Sequence, residues 1–183
     1  MELSELVDLI RSGVDPAEGK SWAELGAGTG NFTSALAELL GDRAHIVAVD
    51  RDRGSLRQLE QRLRGRPGLT LETMVADFRQ PFDLNELDGV LMANSLHFVR
   101  DKQPVLAAVR AMLKPGGKLL MVEYDADRGN PWVPHPFSFA TWQKLAAAAG
   151  FEETRLLATR PSRHLNAMYA AVSRRPREVP YPD

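Results

Sequence analysis

The chain has 183 residues, 23 Lys and Arg against 24 Asp and Glu, and no cysteine. That length supplies the core of one domain of roughly 100–200 residues, and is short for a nucleotide domain joined to a substrate domain, which needs about 300. A net charge of −1 leaves no global basic field for nucleic acid or an anionic membrane, and the absence of thiols excludes cysteine nucleophiles, thiolate metal sites and disulfides.

The N-terminus is acidic and amphipathic, without the basic start and long apolar core of a signal peptide, and no stretch approaches the ~20 apolar residues of a membrane span. A cytoplasmic protein is expected. Leu3, Leu6, Val7, Ile10 and Val14 are spaced for one helical face, so residues 1–20 supply a first helix and a lead-in. Ser21–Leu25 is a short apolar strand that ends in glycines. Leu36, Leu39 and Leu40 lie on a helix closed by Gly41, and the β-branched run His45–Val49 suits a strand buried on both faces. Leu56, Leu59 and Leu63 mark the next helix, Leu69–Val75 a third strand and Gly89–Ala93 a fourth. Asp101 caps a helix with Pro104 in its first turn, stopped by Lys114-Pro115-Gly116-Gly117, and Lys118–Tyr124 is a fifth strand. After a Pro-rich loop, Asp125–Phe137, come a helix over Ser138–Ala149 and two strand-like runs, Phe151–Thr159 and His164–Val172. From Arg174 the chain reads as a Pro-rich tail.

Alternating strands and helices predict parallel strands joined by right-handed crossovers, a doubly wound α/β sheet with helices on both faces. No helix fits between the last two strands, so the final one pairs antiparallel and the sheet is mixed.

Open α/β sheets bind ligands at the carboxyl ends of their strands. Those ends carry Glu24 with Gly26, Gly28 and Gly30, then Asp50, then Asp77-Phe78, then Asn94-Ser95-Leu96-His97. The glycines fall at every second position. Neither register gives the G-x-G-x-x-G of a dinucleotide site, and no Gly-Lys-Ser/Thr phosphate loop follows. Asp50 lies 20 residues after Gly30, where a carboxylate accepts both hydroxyl protons of a ribose. Asp77 suits an adenine amino group, Phe78 the ring beside it, and Glu24 a cationic ligand. A diol, an adenine, positive charge and no phosphate together describe S-adenosyl-L-methionine.

The same residues carry a resemblance. Trp22-Ala23-Glu24-Leu25-Gly26-Ala27-Gly28-Thr29-Gly30 resembles the first motif of class I S-adenosylmethionine-dependent methyltransferases. Val47–Asp50, Ala76–Phe78, Asp88–His97 with Leu113–Gly117, and Ala149–Phe151 resemble later segments, in order, over residues 20–173. The resemblance implies a Rossmann-like seven-stranded sheet of order 3-2-1-4-5-7-6 with strand 7 antiparallel, one methyltransferase domain over 1–173, and a tail over 174–183. It implies that Glu24 meets the cofactor's amino group through water, that Gly26, Gly28 and Gly30 line its methionine and ribose, and that Asp50 holds the ribose. Asp77 and Phe78 would take the adenine and Asn94 the methyl-donor end, with Arg51 grouped beside Asp50; the product would be S-adenosyl-L-homocysteine.

His97 is the candidate general base, against a purely structural role. Tyr124, at the end of the fifth strand, and Trp132 and His135, in the Pro-rich loop, are candidate acceptor contacts. No metal site is expected. The arginines from Arg51 to Arg66 read as a solvated helix face. The end of the fourth strand lacks the Asn/Asp-Pro-Pro-aromatic motif of enzymes that methylate planar nitrogens. A small-molecule acceptor is therefore expected, for a monomer or homodimer without membrane or nucleic-acid partners. The alternatives are a tRNA or protein acceptor, or a non-catalytic cofactor-binding domain.

Overall fold

The computed structural model describes residues 1–162, 165 and 167–177. Its elements run α1 (Leu3–Ile10), β1 (Ser21–Leu25), α2 (Asn31–Leu40), β2 (Ala44–Asp50), α3 (Arg53–Leu63), β3 (Leu69–Val75), β4 (Leu87–Ala93), α4 (Gln103–Met112), β5 (Leu113–Tyr124), α5 (Phe139–Ala148), β6 (Glu152–Pro161) and β7 (Ala167–Arg174). One seven-stranded sheet has the order β3-β2-β1-β4-β5-β7-β6. β1 pairs parallel with both β2 and β4, and β7 runs antiparallel to β5 and β6. Among the described residues, no helix is long and apolar enough to cross a membrane.

Both faces of the sheet are covered because its central strands are apolar on both sides. Trp22, Ile46, Leu91, Leu120 and Val122 face α1 and α2. Ala23, Val47, Met92 and Met121, each one residue on from one of these, face α4 and α5 with Tyr169 around Trp142 and Phe137. A smaller cluster seats Leu56, Leu59 and Leu63 of α3 on Ala48. Met92, Met112 and Met121 are buried packing residues.

Several boundaries shift for identifiable reasons. Asp101 is not the N-cap of α4; that position is Lys102, although the Asp101 carboxylate still accepts from the Gln103 N–H at 3.2 Å. Asp52 caps α3, accepting from Gly54 and Ser55. β5 begins five residues early, straight through Lys114-Pro115-Gly116-Gly117. The cause is tertiary: Gly116 N–H bonds the Arg175 carbonyl at 3.0 Å and Arg175 N–H the Gly117 carbonyl at 2.8 Å. Arg174, expected to open the tail, is the last residue of β7, and Arg175 follows it, held to Gly116 and Gly117 by these backbone bonds. The expected tail residues 178–183 and the expected strand start at His164 lie outside the described residues.

Trp22 and Gly89 face each other across the β1–β4 pairing. A Cβ added at Gly89 would lie 2.4 Å from the Trp22 ring, which is fully buried. Gly89→Ala is expected to destabilise the fold by about 1–3 kcal/mol through overpacking, read as a lowered denaturant midpoint at unchanged m-value.

Candidate cofactor site at the carboxyl edge of the sheet

β1 ends at Leu25, and the chain turns by donating Gly26 and Ala27 N–H to the Val49 carbonyl at 2.8 and 3.0 Å. Gly26 has φ +82, and a Cβ there would come within 2.5 Å of the Ser95 Cβ. Only glycine lets the ends of β1 and β4 approach so closely. Gly28 is different: nothing lies within 4 Å of a Cβ built on it, so its backbone is open toward a ligand. Gly30 is the N-cap of α2, and a Cβ on it would meet Leu59 at 2.6 Å, so its lack of a side chain serves the packing of α3.

Two clefts meet at Gly26 and Asn94. One, of about 320 Å³, is lined by Asp50, Asp77, Phe78, Ser95 and Phe98, with Arg51 and Arg79 beside them. The other, of about 340 Å³, is lined by Met1, Leu6, Glu24, Gly28 and Phe32. The elongated site thus reaches from the end of β3, past β2, to the end of β1 under α1.

Three carboxylates face it in three electrostatic states. Asp50 accepts one backbone N–H on each oxygen, from Gly28 and Asp52, both at 2.8 Å. One lone pair per oxygen remains, which suits two vicinal hydroxyls. Asp77 is held by Arg79, whose side-chain hydrogen bonds pull its pKa down to about 2. Glu24 is fully buried, and its loss of solvation pushes its pKa up to about 8; the Thr33 hydroxyl, donating at 2.5 Å, opposes that shift and the Asp50 charge adds to it. Glu24 is therefore largely protonated at neutral pH without a cation beside it.

Asn94 sits at the junction with φ +52, a strained region for a non-glycine residue, and its Oδ1 is buried without a partner. An unpaired acceptor is costly unless a ligand completes it. The open Gly28 backbone, the spare lone pairs of Asp50 and this orphaned oxygen fit an adenosine carrying a cationic amino-acid chain.

On the acceptor side, a helical turn over Leu96–Phe98 follows β4. His97 is buried there and its Nδ1 lies 2.8 Å from Glu123 Oε2. Glu123, wholly buried, accepts from Leu96 and His97 N–H at 3.0 and 3.1 Å on its other oxygen. Tyr124 packs its ring edge against His97 at 5.6 Å, and burial raises its pKa. It belongs to the core and does not line either cleft. His135 N–H bonds the His97 carbonyl at 3.0 Å, tying the Pro-rich loop to this turn, whereas Trp132 stands 77% exposed. Lys102 reinforces the tie. Its buried ammonium donates to the Val99 and His135 carbonyls at 2.8 and 3.0 Å, over the Phe137 ring. The sequence reading missed Glu123 and Lys102. The available signal for Glu123 was an acid inside the apolar run Leu119–Tyr124; Lys102, within Arg100-Asp101-Lys102-Gln103, carried none.

This fold and site define a class I S-adenosylmethionine-dependent methyltransferase, with S-adenosyl-L-methionine as its cofactor. The chain belongs to the methyltransferase domain family, which matches residues 23–119. It is 31% identical over 133 residues to the ubiquinone/menaquinone biosynthesis C-methyltransferase UbiE of Shewanella frigidimarina, covering 70% of this chain and 53% of that one. It is 35% identical over 116 residues to the UbiE of Teredinibacter turnerae, covering 62% and 46%. The chain thus spans about half the length of these curated relatives. Among solved structures, the CurJ carbon methyltransferase superposes with TM-score 0.74 at 18% identity, over 95% of this chain and 55% of that one. A SAM-dependent methyltransferase from Methanosarcina mazei gives TM-score 0.73 at 17% identity, over 92% and 97%.

Ionised Glu24 favours a cationic amino group, so S-adenosylhomocysteine affinity is expected to rise as pH passes through about 8, with proton release on binding. Without ligand the sign reverses. Because the folded pKa exceeds the unfolded value of 4.5, Glu24's contribution to stability is complete below pH 4.5 and lost as pH rises through about 8. Calorimetry and melts on wild type and Glu24→Gln check both, and an identical pH response in the two proteins would contradict the assignment. Asp50→Ala is expected to weaken S-adenosylhomocysteine binding by about 1.5–3 kcal/mol, the loss of hydrogen bonds to a charged group, in a calorimetric titration.

Proposed function

We propose that this chain methylates a small organic acceptor that loses a proton on methylation, such as an activated carbon or a phenolic hydroxyl. The cofactor supplies an electrophilic methyl group on a sulfonium. Asp50, Asp77 with Phe78, and Glu24 would hold its ribose, adenine and amino-acid ends, with Asn94 at the bend. The chain's own task is then to orient the acceptor, exclude water and remove one proton.

The buried His97–Glu123 pair carries this reading. Glu123 fixes the ring's tautomer and would stabilise the imidazolium, as an acid behind a histidine base does in other enzymes. With Nδ1 at Glu123, Nε2 is the nitrogen left for the acceptor; His97 is buried and lines neither cleft, so the turn over Leu96–Phe98 would have to shift to present it. A methylated amine needs no such buried base. The relatives named as C-methyltransferases agree with a carbon acceptor. A small acceptor also suits the surroundings. Phe98 and Val99 give the first cleft an apolar flank. The arginines in and just after α3 offer less to a nucleic acid, since Arg62 and Arg66 are engaged by Asn31 and Glu38.

Labelled methyl transfer to a panel of phenols and carbon acids tests the proposal. His97→Gln is expected to lower turnover on the accepted substrate by about 10²–10⁴-fold, the usual worth of a general base, while S-adenosylhomocysteine affinity stays within a factor of about two. Equal turnover in the variant, or transfer to tRNA or protein alone, would contradict it.

A further inference from the structure

The adenine end of the cleft contains an ion pair that cofactor binding, as assigned above, has to compete with. A carboxylate offers about four lone-pair sites. Asp50 has committed two of them. Asp77 has committed three, every one to Arg79. Oδ1 takes the Arg79 backbone N–H at 3.0 Å, the single Nε–H is shared between Oδ1 at 2.9 Å and Oδ2 at 3.0 Å, and Oδ2 also takes Nη2 at 2.5 Å. An adenine amino group arriving at Asp77 therefore competes with the guanidinium, which holds two of the three bonds.

We propose that Arg79 is a latch on the adenine pocket: its fork holds two of the three bonds on Asp77 and competes with an adenine amino group for the carboxylate, so Arg79 sets the affinity and base preference of the site. This rests on placing the adenine beside Asp77. The geometry permits the exchange. The Arg79 side chain is 45% exposed and that of Asp77 27%, so the guanidinium can swing into water while the carboxylate stays. The backbone bonds of the turn, Arg79 N–H to Oδ1 and Gln80 N–H to the Asp77 carbonyl at 2.9 Å, do not involve the guanidinium and keep Asp77 aimed. Arg51 lines the same cleft and leaves the freed carboxylate in positive surroundings. Base preference follows from donor and acceptor roles. An adenine offers an amino donor and gains from an open latch, whereas a 6-oxo purine offers a carbonyl and gains nothing from a free carboxylate. Salt matters too, because screening weakens an exposed ion pair.

Calorimetric titration of wild type, Arg79→Gln and Arg79→Lys with S-adenosylhomocysteine, adenosine and inosine tests the latch. Arg79→Gln is expected to bind S-adenosylhomocysteine and adenosine about threefold to tenfold tighter, the strength of an exposed bidentate pair, with no gain for inosine. Arg79→Lys, which lacks the fork, should fall between. Wild-type affinity for adenosine should rise with added salt, and that of Arg79→Gln should not. Equal or weaker adenosine binding by Arg79→Gln would overturn the latch and leave Arg79 as a support for Asp77. Failure of both proteins to bind S-adenosylhomocysteine would overturn the placement of the adenine, and the latch with it.

Discussion

β1 lies between β2 and β4 and is parallel to both, so the crossovers from its two sides depart in opposite directions and leave the carboxyl ends of β1 and β4 uncovered. Everything at the site follows from that gap. Gly26 must lack a side chain because Ser95 closes against it, and Asn94 is pressed into a left-handed conformation at the same bend. The residues that end each strand therefore line one continuous groove, although they come from four separate parts of the chain.

Along that groove the protein prepares its charges unequally. Asp50 is held by two backbone donors and keeps capacity for a diol. Asp77 is gripped by a neighbouring guanidinium. Glu24 is buried deeply enough to keep its proton until a cation arrives. Each state has a local cause: a turn, an arginine two residues on, and loss of water. A ligand that spans all three spends binding energy on rearranging two of them, so its affinity reports on pH at one end and on ionic strength at the other. The acceptor side has the opposite character. His97, Glu123 and Lys102 are buried and mutually braced, an arrangement that suits proton removal from a positioned substrate.

The strand order and the position of the groove were legible because both are written locally. An apolar run that stops at a glycine or an acid marks a strand's carboxyl end, and the missing helix before the last strand fixes its reversed direction. The roles that depend on distant partners were not legible. Glu123 is a single acid at the close of an apolar strand, and its meaning appears only when His97, 26 positions away, is placed against it. Gly30 looked equivalent to Gly26 and Gly28, yet faces a leucine of another helix. Lys114-Pro115-Gly116-Gly117 reads as a turn, and only its pairing with Arg175 makes it strand. Arg79 was visible as a charge, but a bond to an acid two residues away has no periodic signature in either helix or strand.

The central claim is that the groove takes an adenosine and a cationic amino-acid chain without a phosphate. Parallel calorimetric titrations with S-adenosylhomocysteine and NAD test it most directly. Saturable one-to-one binding of S-adenosylhomocysteine with no heat from NAD is the predicted result. Saturable NAD binding with none of S-adenosylhomocysteine would contradict it.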